Sequence, residues 1–251
     1  MKIVLIGGTG LVGTKLGERL RAAGHEAVPA APSTGVDTLT GEGLAEVLAG
    51  ADVVVDVSNS PSFEDVAVLD FFQTSGKNLL AAEEEAGVRH HVAVSIVGAD
   101  RLPDSGYLRA KLVQEALVEG SSVPSTILRS TQFFEFLGSI VAGGTEGGEI
   151  RLPDALLQCV AADDVAATLA ELAVGEPLHG TVELGGPEAL PFAEFAQRWL
   201  ANRGDSRRVT ADPHARYFGT ELQTSSLVAG PGARRGRVQL AEWLTSPAAL
   251  R

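Results

Sequence analysis

Tyr107 and Lys111 stand four residues apart in Tyr107-Leu108-Arg109-Ala110-Lys111. On a helix that spacing puts a phenol and an ammonium on one face. Upstream, Ser95 lies at the end of an apolar run read as a core strand, where open α/β sheets bind their ligands. Together the three side chains can carry proton transfer to a carbonyl. A free phenol titrates near ~10, too high for efficient proton exchange at neutral pH, and a neighbouring ammonium favours its ionised form. Lys111 can also hold ribose hydroxyls, and Ser95 can donate a hydrogen bond to a substrate oxygen. Tyr107, Lys111 and Ser95 are therefore the candidate catalytic residues.

A second chemical signal opens the chain. Lys2–Ile6 runs directly into Gly7-Gly8-Thr9-Gly10-Leu11-Val12-Gly13, and a helical pattern follows. A chain leaving a strand must turn sharply, let its backbone approach a pyrophosphate, and start a helix whose free N–H groups face the phosphates. Glycine at 7, 10 and 13 permits each step. Gly7, Thr9, Gly10, Leu11, Val12 and Gly13 are read as the dinucleotide-binding loop of NAD or NADP. The second strand ends in Ala30-Ala31-Pro32-Ser33-Thr34, with neither the acidic residue that favours NAD nor an Arg for a 2′-phosphate. Ser33 and Thr34 can hydrogen-bond a phosphate and no carboxylate repels it, so the balance leans to NADP. Asp37 reads either as a partner of the adenine amino group or as a surface turn.

The elements that hold these residues alternate. Strands are predicted at Lys2–Ile6, Glu26–Ala30, 53–57, 91–96, 126–129 and 181–184, with Val53-Val54-Val55 apolar enough to be covered on both faces. Val12, Leu16 and Leu20 share one helical face, and Gly24 stands where a C-terminal cap belongs. Further helices are predicted near 63–86, over 107–119 and over Phe192–Asn202, and Asp163-Asp164 opens another with its acids in the first turn. Gly143-Gly144-Thr145-Glu146-Gly147-Gly148 reads as a flexible loop. The pattern is that of an α/β, Rossmann-type doubly wound parallel sheet. Residues 1–251 read as a single NAD(P)-binding domain, with about 131–160 and 186–251 forming a small C-terminal substrate lobe.

Composition narrows the partners. Lys+Arg 20 against Asp+Glu 32 gives a net charge of −12 in 251 residues. Such a surface repels phosphate backbones and anionic lipid, so neither nucleic acid nor membrane is expected. Cys159 is alone, which rules out an intramolecular disulfide, and the adjacent His90-His91 lacks a third ligand at metal spacing. No metal is expected. No apolar run approaches the ~20 residues of a membrane span. The start reads as a strand rather than a leader, so the expected location is cytoplasmic. The expected partner is a small-molecule substrate, with a homodimer as the candidate assembly.

The chain resembles the short-chain dehydrogenase/reductase superfamily, and more narrowly its NmrA-like atypical members. The matching residues are Gly7 to Gly13, Val94-Ser95-Ile96-Val97-Gly98, Tyr107 and Lys111 with Glu115, and Thr126-Ile127-Leu128-Arg129-Ser130-Thr131-Gln132-Phe133. Asp163-Asp164-Val165-Ala166 and Leu184-Gly185-Gly186-Pro187-Glu188 extend the match. The resemblance implies a strand order of 3-2-1-4-5-6 plus a seventh strand, with Ser58 and Asn59 after the fourth strand passing the cofactor ribose. It also brings Gln132, Phe133, Phe134 and Phe136 to the mouth of the substrate pocket, where aromatics suit a planar apolar ligand; core packing is the equal alternative. The implied function is an NAD(P)H-dependent oxidoreductase reducing a small apolar carbonyl or quinone-like substrate, with the proton from Tyr107. The alternative is a non-catalytic redox sensor that acts through a protein partner, since in atypical members the Tyr is often absent or idle. An epimerase or dehydratase on a nucleotide sugar is a third reading.

Overall fold

The computed structural model describes residues 1–250. In chain order its elements are β1 (Lys2–Ile6), α1 (Leu11–Ala22), β2 (Glu26–Ala30), α2 (Leu44–Leu48), β3 (Val53–Asp56), α3 (Asp65–Ala86), β4 (His90–Ile96), α4 (Gly106–Glu119) and β5 (Ser125–Ser130). There follow α5 (Leu137–Gly143), β6 (Thr145–Glu146), β7 (Glu149–Pro153), β8 (Leu156–Leu157), α6 (Ala162–Val174) and β9 (Gly180–Gly185). The last are β10 (Leu190–Pro191), α7 (Phe192–Asn202), β11 (Val209–Asp212), β12 (Arg234–Arg235) and α8 (Leu240–Trp243). Seven strands form the central sheet in the order β12-β9-β5-β4-β3-β1-β2. The pairs β1–β2, β1–β3, β3–β4 and β9–β12 are parallel. This is the Rossmann-type α/β fold expected from the alternation of strands and helices. No helix among the described residues is long and apolar enough to cross a membrane.

Two expectations are corrected. The strand order lacks a strand outside β2, so β2 is the sheet edge and the strand before Ser58 is the third of the chain, not the fourth. Residues 31–52 turn back instead. Pro32 opens a short 3₁₀ turn, Gly35, Gly41 and Gly43 take positive φ, and Asp37 N–H bonds Glu42 O at 2.9 Å. Val36, Leu44 and Leu48 then join Val4, Ile6 and Val54 in one core cluster, which gives the apolar residues of this segment a partner without a further strand. The glycine-rich stretch after Gly143 is not a loop. Gly147 and Gly148, both at positive φ, form the two-residue turn of an antiparallel hairpin that pairs Glu146 with Glu149 and Thr145 with Ile150.

The chain divides into two compact units, one of Met1–Ser95, Gly106–Arg129 and Val165–Val182, the other of Ile96–Ser105, Ser130–Asp164 and the residues from Glu183 onward. In the first, α3 and α4 pack side by side, with Val68 and Phe72 of α3 against Ala110 of α4. Gly87, left-handed at φ 70°, stops α3. In the second, Phe134, Phe195 and Trp243 form an aromatic core, with ring centroids 6.2 and 5.4 Å from Phe134.

Candidate active site

The glycine loop leaves β1 in the only way its crowding allows. At Gly7, with φ at 75°, a Cβ would lie 2.9 Å from the backbone of Ser58. At Gly8 it would meet Leu5 O at 2.6 Å, and at Gly13 Gly7 O at 2.5 Å and Gly8 Cα at 2.6 Å. A side chain would push the loop from the Ser58 backbone at Gly7, from β1 and β2 at Gly8, and from the start of α1 at Gly13. Gly10, the N-cap of α1, is different: only Gly7 O, at 3.3 Å, lies within 4 Å of its missing Cβ. Thr9, Gly10 and Leu11 are exposed, and the first-turn N–H groups of α1 have no acceptor within their own helix. The loop is tight against the protein and open outward at Gly10.

Tyr107 and Lys111 share a face of α4, and their polar ends go to different partners. The Tyr107 hydroxyl donates to Asn59 Oδ1 at 3.2 Å, and its ring packs edge-on against Phe63 with centroids 5.1 Å apart. Burial pushes the phenol up to about 12, so it stays protonated at neutral pH. Lys111 is 3% exposed. Its ammonium donates to Val94 O at 2.7 Å and to Gln114 Oε1, and stands 4.4 Å over the ring of Phe72. Burial brings this lysine down to about 8, with the carboxylates of Asp56 and Glu115 opposing the fall. Ser95, next to Val94, is 2% exposed and its hydroxyl has no hydrogen-bond partner. A buried donor without an acceptor costs roughly 1–3 kcal/mol unless a ligand supplies one. His91, Ala93 and Ser95 alternate onto one face of β4, and His91 meets Glu83 of α3 there. Ser95 thus points to the side on which α3 and α4 pack.

The sequence pattern of the NAD(P)H-binding family matches residues 7–174, from the glycine loop to the end of α6. The chain belongs to the NAD(P)H-binding family. No curated protein matches it by sequence. Among solved structures, a short-chain dehydrogenase/reductase superfamily protein from Agrobacterium tumefaciens with bound NAD superposes with a TM-score of 0.73 at 18% identity. That match covers 100% of this chain and 96% of the other. UDP-N-acetylglucosamine 4-epimerase from Bacillus cereus gives 0.72 at 20% identity, covering 97% and 95%. dTDP-4-dehydrorhamnose reductase from Bacillus anthracis, in complex with NADP, gives 0.67 at 16%, covering 97% and 92%. At these identities the likeness is one of fold. The residues present fit the family's dinucleotide. The loop is open outward at Gly10, beside the free N–H groups of the α1 N-terminus that a pyrophosphate needs, and the buried Ser95 hydroxyl is left without a partner.

The remaining assigned residues of this family member are placed as follows. Ser58 gives its N–H to Asp56 Oδ1 at 2.9 Å, and Asn59 accepts the Tyr107 hydroxyl, so Asn59 meets the candidate catalytic pair. Ser33 is exposed. Thr34 folds its hydroxyl back onto its own turn, bonding Ala31 N and Ala31 O at 2.9 Å each. The carboxylate of Asp37 accepts Leu39 N–H at 2.8 Å, the surface-turn reading. In the second unit, Phe133 and Phe136 stack with centroids 5.5 Å apart, and Phe136 is exposed. Gln132 is half-buried beside them. Phe134 is a correction: at 1% exposed, against Phe195 and Trp243, it is core and lines nothing. Two residues of the site were not foreseen, Asp56 and Gln114. Their signals were a carboxylate closing the apolar run Val53-Val54-Val55, and an amide three residues after Lys111 on the same helical face.

Proposed function

We propose that the protein is an NAD(P)H-dependent reductase of a small apolar carbonyl or quinone-like substrate. The observation that carries this reading is the buried, unpartnered hydroxyl of Ser95 at the end of β4, beside the strand carbonyl that anchors Lys111. A substrate oxygen would satisfy it. Bound NAD(P)H supplies the hydride. Tyr107, kept protonated by burial, gives its hydroxyl proton to the substrate oxygen, and solvent later returns one. Ser95 orients that oxygen, and Lys111, held by Val94 O and Gln114 Oε1, keeps a positive charge on the same face of α4. The missing carboxylate after β2 supports NADPH over NADH, with Ser33 as the hydroxyl open to a 2′-phosphate.

The test is Tyr107→Phe, with fluorescence titration by NADPH and NADH and a screen of quinones and apolar ketones. Loss of turnover by about 100-fold or more, with cofactor affinity unchanged, is expected. A variant as fast as the parent would refute the assignment. One observation favours a second reading, a dinucleotide-binding regulator acting through a protein partner: the ammonium of Lys111 is already engaged by Val94 and Gln114. On that reading Tyr107→Phe keeps its binding curve and the screen finds no substrate.

A further inference from the structure

Hydrogen bonds and one peptide link within the first unit connect the two residues of the candidate pair through Gln114, Asp56, Ser58 and Asn59. Lys111 donates to Gln114 Oε1, and Gln114 Nε2 donates to Asp56 Oδ2 at 2.8 Å. The other oxygen of Asp56 accepts the N–H of Ser58 at 2.9 Å. The next residue, Asn59, accepts the hydroxyl of Tyr107. The Ser58 backbone is also the wall that keeps Gly7 a glycine. One buried carboxylate, 4% exposed, therefore ties down the loop beside the glycine turn, the tyrosine's acceptor and, through an amide, the lysine.

The surrounding charges single out Asp56. Glu115, the other carboxylate acting on Lys111, is held by Arg129, with Nε 2.9 Å and Nη2 2.6 Å from its two oxygens. Glu83 is taken by His91, whose Nδ1 lies 2.9 Å from both of its oxygens. From α3, Lys111 meets the ring of Phe72, and from β4 the carbonyl of Val94. On its own helix Tyr107 is neutral at physiological pH. Asp56 is left as the anion whose charge is not already matched by a cation in direct contact.

We infer that Asp56 is a positioning residue for the reaction, acting through Gln114 to hold Lys111 in place and charged, and through Ser58 and Asn59 to set Tyr107 against the cofactor loop. The inference rests on the assignment of Tyr107 and Lys111 made above. In Asp56→Asn the shape persists and the anion is gone; in Gln114→Met no charge changes and the connection is cut.

The chain has four lysines, Lys2, Lys15, Lys77 and Lys111, so its lysine side chains can be followed one by one by ¹³C NMR during a pH titration. Lys111→Arg identifies the resonance. Asp56→Asn is expected to lower the Lys111 midpoint by about one pH unit, a tenfold loss of proton affinity, while the other three lysines stay put. Gln114→Met is expected to lower it in the same direction, and it decides the matter if Asp56→Asn does not fold. The alkaline limb of the pH–rate profile should move with the Lys111 midpoint, which a purely structural Asp56 would not cause. A midpoint unmoved in the folded variants overturns the inference. Failure of the parent protein to bind NADPH or to reduce any substrate sinks the proposed function instead, and it leaves the lysine titration intact, because that reads no turnover.

Discussion

Gly10 and Gly13 differ in what surrounds their missing side chains, and that difference separates a binding role from a folding role. At Gly13 a methyl would sit 2.5 Å from Gly7 O, so loop and helix must part by almost an ångström to restore ordinary contact at about 3.4 Å. Overpacking of this kind costs about 1–3 kcal/mol, offset by about 1 kcal/mol from alanine's better helix propensity. Gly13→Ala should therefore lose up to about 2 kcal/mol and, at this chain length, up to about 8 °C in Tm. At Gly10 the nearest atom is 3.3 Å away, and the backbone, at φ −79° and ψ −177°, suits any residue. Gly10→Ala should leave Tm within about 1–2 °C of the parent, its stability changed by a few tenths of a kcal/mol. The added methyl occupies the opening through which a pyrophosphate comes against the α1 N-terminus. NADPH affinity should fall at least about tenfold, or about 1.4 kcal/mol. Differential scanning fluorimetry and NADPH fluorescence titration on both variants provide the test. Parent-like NADPH affinity in a well-folded Gly10→Ala would refute the glycine-loop reasoning.

The other predictions concern buried charge and the candidate pair. Burial lowers His90 from 6.5 to about 4, so its stabilising contribution is complete above pH 6.5 and is lost as pH falls toward 4. Linkage puts the loss at about 2 kcal/mol by pH 5, and denaturant unfolding of His90→Asn at pH 8 and pH 5 should show a correspondingly shallower pH dependence. Glu83 and His91 are a fully buried pair whose histidine is raised by the carboxylate in opposition to burial. Glu83→Ala should cost about 3–5 kcal/mol in urea unfolding at pH 6, and a loss below about 1 kcal/mol would show that the pair is not held as described. Tyr107→Phe should abolish most turnover at unchanged cofactor affinity, and Asp56→Asn should move the Lys111 titration downward, each as set out above.

What the sequence made legible was periodic or crowded. The all-apolar Val53-Val54-Val55, the helical spacing of Val12, Leu16 and Leu20, and the glycines between β1 and α1 each had one physical solution. The third strand implied by the resemblance failed at 31–52 because a resemblance carries topology without testing the segment. Pro32 and three glycines at positive φ favour turns there. Gly147-Gly148 carried a hairpin signal that the surrounding glycines concealed. Asp56 and Gln114 went unread because nothing local announces a partner 58 residues away. Phe134 went to the core while Phe133 and Phe136 did not, since the short 3₁₀ turn at Phe134–Phe136 sends neighbouring rings in different directions.

The two rims of the central sheet bear on how this molecule behaves in a crowded solution. At one rim β2 contains Pro29, which has no N–H to give an incoming strand, and Thr34 Oγ1 reaches its carbonyl at 3.3 Å. At the other, β12 is two residues long and both are exposed arginines, which repel the same rim of another copy. A sheet closed at one side by proline and at the other by like charge offers no template for stacking strand on strand. Folded molecules should remain free of fibrous self-association at concentrations where an open-rimmed parallel sheet would begin to polymerise.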